Sequence, residues 1–323
     1  MSAGTGPRGP GLPGGPIGAS SAAGGASTAM IGPRPQAGAR RGRRRTLWSD
    51  ALQRLLSNKG ATAGGIVFLL IVAIALAAQA LAPSNPVRFN VSESLVPPGA
   101  RHWLGTDQFG RDILSRIIYG SRVSVTMGLV AVTISVVGGS ILGLLSGYAR
   151  GTVDILVMRL VDLMLAFPGI LLALVIIAVL GPTLGSAMIA VGVSGMPIFI
   201  RVVRASTLSV RELQYIEAAR VAGCGDARIL IRHVLPNVAA PVIVLITLGI
   251  PGAIIGGAAL SFLGLGVRPP TPDWGEMLSN GRSFMTTAWW LSTFPGLAIM
   301  IMVMAINLFG DGLRDALDPR LRL

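Results

Sequence analysis

Charge is what this sequence has least of: 13% of its 323 residues are Asp, Glu, Lys or Arg, about half the share of a soluble globular domain. Lysine is nearly absent. Lys59 stands alone, in Ser57-Asn58-Lys59-Gly60, so no GxxxxGK[ST] phosphate loop exists and the chain has no nucleotide site of that kind. Two histidines, His102 and His233, fall on opposite sides of the expected membrane. They build neither a metal cluster nor a Ser/His/Asp triad, and no GxSxG elbow is present. No catalytic site is expected. Cys224 is the single cysteine, which excludes an internal disulfide and makes a free thiol the expected state.

What fills the space is apolar. Hydrophobic residues make up 52% of the chain and the mean hydropathy is +0.68. Uncharged runs cover 60 to 87, 123 to 149, 163 to 200, 233 to 267 and 283 to 310, each long enough for a span of about 20 residues. The third holds two, because Gly181-Pro182-Thr183-Leu184-Gly185 interrupts it with residues that suit a reversal. The expectation is an all-α polytopic membrane protein with six transmembrane helices.

Basic residues set the orientation, since Lys and Arg are retained on the cytoplasmic side. With both termini inside, 20 of the 27 fall in cytoplasmic segments and 7 outside, counting Arg122 at a helix mouth. Arg40, Arg41, Arg43, Arg44 and Arg45 lie beside the first span, where such a cluster anchors to membrane lipid rather than to nucleic acid. Residues 1 to 45 are a Gly/Pro/Arg-rich tail with almost no aliphatic bulk, expected to be disordered and cytoplasmic. It lacks the order of a signal peptide, so removal by that route is not expected.

Within the spans, Gly139, Gly143 and Gly147 recur every four residues, and Gly252 and Gly256 repeat the interval. Such spacing lets helices approach closely. Phe167-Pro168-Gly169, Ile250-Pro251-Gly252 and Phe294-Pro295-Gly296 fit either kinks that serve a gate or the ordinary abundance of these residues in membrane helices. Asp154, Arg159 and Asp162 meet the cytoplasmic mouth of the third helix, with Arg201 and Arg204 at the matching end of the fourth. They read as an interfacial network that fixes helix depth. No carboxylate or histidine lies near a span midpoint, which disfavours an ion-driven carrier.

Between the fourth and fifth spans runs a polar, arginine-rich loop, Glu217 to Asn237. Gln214 to Ala222 is a good helix former, Gly223 can end it in the left-handed conformation, and Asp226 can cap the next helix. Pro236 marks the return to the membrane. The product is a helix-turn-helix knuckle presenting Glu217, Arg220 and a small Ala218/Ala219 face to a partner groove.

The spacing Glu217-Ala218-Ala219, Gly223, Leu235-Pro236 resembles the EAA loop of ABC-importer permeases. Three further blocks sharpen the resemblance toward the C-type subunit of dipeptide and oligopeptide importers. They are His102-Trp103-Leu104-Gly105-Thr106-Asp107 with Gly110-Arg111-Asp112 and Leu114-Ser115-Arg116, then Leu260 to Gly266 running into Pro269 to Gly275, and last Asn307 to Asp315 ending Leu317-Asp318-Pro319-Arg320. Two positions depart from the pattern: His233 stands where the general EAA consensus has Ile, and Trp103 where the peptide branch has Pro.

The resemblance implies a permease that pairs with a second homologous permease, is driven by two ABC ATPase subunits, and receives cargo from an extracytoplasmic peptide-binding protein. ATP and Mg would be bound by the ATPases and no cofactor by this chain. Glu217, Ala218, Ala219, Arg220, Gly223, Asp226, Leu235 and Pro236 would form the ATPase-coupling loop. Short peptides are the implied cargo, with nickel chelates, glutathione or opines open because related branches carry them. A non-transporting membrane scaffold and a secondary carrier are the readings from other classes. The expected division is a tail at 1–45, first helix and external loop at 46–120, a five-helix core at 121–310 containing the coupling loop 205–237, and a cytoplasmic C-terminal tail at 311–323.

Overall fold

The computed structural model describes residues 53–317. The expected disordered tail, its arginine cluster and the last six residues lie outside them. Helix α1 spans Lys59–Leu76 and α2 Ile113–Ala149. Next come α3, Gly151–Leu165, and α4, Gly169–Leu180, followed by α5, Leu184–Arg211, and α6, Gln214–Val221. A short α7, Asp226–Ile229, passes through a π-helical turn, Leu230–Val234, into α8, Leu235–Phe262. Helix α9, Trp274–Gly281, and α10, Trp290–Leu317, complete the chain. Among the described residues no strand forms.

Five helical runs are long and apolar enough to cross a membrane, namely α1, α2, α5, Asp226–Phe262 and α10. The sixth expected span departs from a simple rod. It starts earlier than its uncharged run, at Gly151, and turns by 97° between α3 and α4. Pro168 supplies the reason: it has no N–H, disfavours helical geometry at Phe167, and itself sits extended at φ −52°, ψ 134°. The other two Pro-Gly pairs break nothing, since α8 and α10 run on through Pro251 and Pro295.

Helix α2 likewise begins ten residues before its uncharged run, because its charged first turns find partners. Arg122 donates from Nε to the Ala75 carbonyl at 2.6 Å and from Nη2 to that of Leu76 at 3.1 Å. It thereby satisfies carbonyls left open at the end of α1.

The two glycine repeats part company. A Cβ on Gly139 would stand 2.5 Å from the Phe199 Cβ, and on Gly143 or Gly147 2.8 Å from the carbonyl oxygens of Ile200 or Arg204. Helices α2 and α5 therefore touch backbone to backbone along this ladder. At Gly252 a Cβ would meet nothing within 4 Å, and at Gly256 only Val191 at 3.5 Å. The close-packing expectation fails there because that face of α8 borders a cavity.

Outward-facing side chains such as Leu69, Leu70, Val137, Ile141 and Val179 are exposed, the surface a lipid-facing helix requires.

Candidate functional site

Both ends of α2 carry the blocks singled out in the sequence. The end at Ile113 is a tightly bonded cap. Asp112 is the N-cap of α2 and accepts from the Ser115 N–H at 2.8 Å and its hydroxyl at 2.7 Å. His102 Nδ1 lies 3.0 Å from the same carboxylate and Nε2 3.4 Å from Glu93. Asp107 accepts from Arg111 Nε at 2.6 Å. Arg116, 1% exposed, donates from Nη2 to Glu276 at 2.9 Å and lies 3.7 Å from Asp107.

That pairing joins two blocks far apart in sequence. Two indoles secure it further, Trp274 Nε1 donating to the Ile117 carbonyl at 2.9 Å and Trp290 Nε1 to that of Thr106 at 3.1 Å. Burial pushes the Glu276 carboxyl above its ordinary range, and the adjacent Arg116 opposes that shift. Burial also raises Asp273, which caps α9 by accepting from the Glu276 N–H at 3.1 Å. The departure at Trp103 leaves that side chain 72% exposed, outside the network.

At the opposite end of α2 stands the knuckle. Helix α6 ends at Val221, and Gly223 takes φ +81°, a conformation costly for any residue with a Cβ. The chain then reverses into α7. Glu217, Ala218, Arg220, Gly223, Asp226, Leu235 and Pro236 are all exposed. Ala219 is half-buried and packs on Val203, Ile216, Ile229, Val234 and Val238, so the expected small face is Ala218 alone.

Asp226 differs from expectation too. Gly225 occupies the cap position with no side-chain bond, and the Asp226 carboxylate instead accepts the Tyr148 hydroxyl at 2.5 Å. Pro236, lacking an N–H, is preceded by the π-helical turn, in which the Leu235 N–H reaches back to the Leu230 carbonyl. The ladder widens where proline interrupts its normal register.

Charged groups near the knuckle pair across helices. Arg204 grips Asp154 through Nε at 2.5 Å and Nη2 at 2.6 Å, Arg201 meets Asp162 at 2.8 Å, and Arg150 pairs with Glu212. These bonds tie α5 to α3 and its C-cap to the end of α2. Arg159 takes no part in them, so the expected network is two inter-helix pairs rather than one cluster. Cys224 is a free thiol, partly exposed.

Between the ends lies a cavity of about 430 Å³ walled by α2, α4, α5 and α8. Ser135, Ser194, Phe199, Gly249, Gly252 and Gly256 are among its lining residues, and none of the lining is ionisable. No group of acidic, His or Cys side chains fit to hold a metal occurs among the described residues.

Sequence reasoning assigned no role to Arg116, Glu276 or Tyr148. Their only local signal was a charged or polar side chain at a helix terminus, and the bonds that join Arg116 to Glu276 and Tyr148 to Asp226 span 160 and 78 residues of chain.

Residues 139–323 match the family described as binding-protein-dependent transport system inner membrane component, and residues 46–98 match the N-terminal TM domain of oligopeptide transport permease C. The dipeptide transport system permease protein DppC of Alkalihalophilus pseudofirmus is 47% identical over 85% of this chain and 90% of its own length. The di/tripeptide transport system permease protein DppC of Pseudomonas aeruginosa is 47% identical over 84% and 91%. The glutathione transport system permease protein GsiD of Pectobacterium atrosepticum is 44% identical over 86% and 93%.

A chain of the MetNI methionine ABC transporter, in an inward facing conformation, superposes with a TM-score of 0.53 at 18% identity, over 64% of this chain and 98% of that one. This last likeness concerns fold alone. With a family pattern that spans more than half of it and relatives aligned along most of their length, this multi-pass membrane chain belongs to the inner-membrane components of binding-protein-dependent transport systems.

Proposed function

We propose that this chain is the permease subunit of an ATP-driven importer of short peptides. It forms half of the translocation pathway with a second homologous permease and couples to two ABC ATPase subunits, which bind ATP and Mg. A peptide-binding protein delivers cargo from outside. The observation that carries this reading is the knuckle: Glu217, Ala218 and Arg220 stand exposed beside a glycine turn at one end of α2, while the opposite end is closed by buried ion pairs. Relatives named for dipeptides, di/tripeptides and glutathione support the cargo class.

The basic asymmetry of the sequence supports an orientation with the knuckle and both termini in the cytoplasm and the cap outside. Closure of the ATPases draws the knuckles of the two permeases together and shifts the population between inward- and outward-open states. The cavity wall carries no ionisable group, so it offers a passing peptide no ion-pair partner, and recognition falls to the binding protein.

Reconstitution in lipid vesicles with the partner subunits and binding protein tests the reading. Dipeptide uptake should require ATP and should be accompanied by hydrolysis that the loaded binding protein stimulates. Uptake that survives ATP depletion but collapses with an ion gradient would make the chain a secondary carrier, and ATPase recruitment without uptake a scaffold. Cys224 reports orientation: it should resist membrane-impermeant thiol reagents in intact cells and react once the cytoplasmic face is opened.

A further inference from the structure

Tyr148 lies in the last turn of α2 and is half-buried. Its hydroxyl donates to Asp226, the first residue of α7. The guanidinium of Arg220, in the last turn of α6, lies 5.6 Å from the ring centroid, and that of Arg211, at the end of α5, 5.4 Å. Arg211 also donates to the Tyr148 carbonyl. One phenol thus touches both limbs of the knuckle, on either side of Gly223, and the helix that leads into it. The bond to Asp226 is a side-chain hydrogen bond that ties α2 to α7 across 78 residues of chain.

Helix α2 is unbroken over 37 residues. Arg116 locks its first turns into the cap, and the glycine ladder seats its second half on α5. At 1.5 Å per residue, Arg116 and Tyr148 are about 48 Å apart on one rod. A rod of this kind responds to the knuckle through the contacts at its end, because a packed helix shifts as a body rather than bending freely.

We infer that Tyr148 is a positioning residue that passes movement of the knuckle into α2, an assignment that rests on the coupling role proposed above. The hydroxyl is the critical atom. Phenylalanine keeps the ring and its two guanidinium contacts but gives Asp226 no donor, and the second limb of the knuckle then loses its bond to the rod.

The test uses the whole complex in lipid nanodiscs: both permeases, the ATPases and peptide-loaded binding protein, with matched vesicles for uptake. In Tyr148→Phe the ATPases should still co-purify with the permeases. Stimulation of hydrolysis by the loaded binding protein should fall about fivefold, within the effect of losing one partly exposed hydrogen bond to a charged group. Peptide imported per ATP should fall with it. Asp226→Ala should reproduce the loss, and the double variant should be no worse than either single one, since both remove the same bond.

Wild-type stimulation and stoichiometry in Tyr148→Phe would overturn the inference. So would loss of ATPase association in that variant, which would make the phenol a mere support for the docking surface. Failure of the coupling reading has a separate signature: Gly223→Val would keep both ATPase association and uptake, whatever Tyr148→Phe does.

Discussion

At one end of α2, Arg116 is 1% exposed and held by Glu276 and Asp107; at the other, Arg220 and Glu217 stand in solvent and Arg150 pairs at the surface with Glu212. The same residue types serve two purposes. A buried ion pair fixes one geometry, because removing either partner strands a charge where water cannot reach it. An exposed pair is worth little to the fold, which leaves its surface available to a partner. The cap is thus held by buried charge, while the knuckle leaves its charges in solvent, as the proposed docking of a partner requires, with one continuous helix between them.

The largest effect that could break this contrast is expected at the cap. Arg116→Met strands Glu276 and should cost about 3–5 kcal/mol, read as a large fall in the melting midpoint of the purified chain. A midpoint near wild type would mean that the cap is not held by its ion pairs.

Smaller and differently placed is Gly223→Val. The positive φ should cost about 1–2 kcal/mol at that turn, with the membrane helices unaffected. ATPase association and coupled hydrolysis should be lost while the melting midpoint moves little. The reverse pattern would make the knuckle a structural element like the cap.

Glu217→Ala sharpens the contrast from the surface side. No ion pair or hydrogen bond of its side chain holds it within the described chain, so stability should stay within about 0.5 kcal/mol. Pull-down of the ATPases should weaken by about tenfold if this residue sits in a partner's pocket. Unchanged recruitment would remove Glu217 from the interface.

The smallest expected effect concerns pH. Burial raises the Asp273 carboxyl, so the folded cap holds that proton more tightly than the unfolded chain. Stability should therefore decline as pH rises from about 4 through the raised value and then level off. Asp273→Asn keeps an oxygen for the Glu276 N–H and removes this charge, so melting curves across the same range should lose part of that slope. Glu276, raised in the same sense, adds to that slope. An unaltered slope would show that Asp273 is not the group responsible.

Much of the architecture was legible because bilayer chemistry leaves a coarse signature. Long uncharged runs gave α1, α2, α5, α8 and α10, and the Gly/Pro break before Leu184 separated α4 from α5. Gly223 was readable as a left-handed turn because few residues tolerate that conformation. The bend between α3 and α4 was half-legible: Pro168-Gly169 marked a place where a helix could yield, but the same pair at Pro251-Gly252 yields nothing. Which proline breaks a helix depends on whether neighbours hold the freed carbonyls and the helix on course.

The glycines make the point most sharply. An interval of four residues is identical in both repeats, yet Gly143 meets the backbone of α5 while Gly252 faces open space. Spacing reports that one side of a helix is small; it does not report what lies opposite. Asp226 shows the same limit at a turn, where local capping competed with a phenol brought from 78 residues away.

Taken alone, the sequence determined the membrane setting, the helical class, the want of a phosphate loop and the position of the knuckle, because hydropathy, composition and backbone tolerance act over a few residues at a time. Only the tertiary structure decided that Arg116 closes onto Glu276, that Tyr148 joins both limbs of the knuckle to α2, and that one glycine face is packed while the other lines a cavity. Those outcomes depend on which helices lie side by side, and contacts between distant segments leave no periodic trace in either segment by itself.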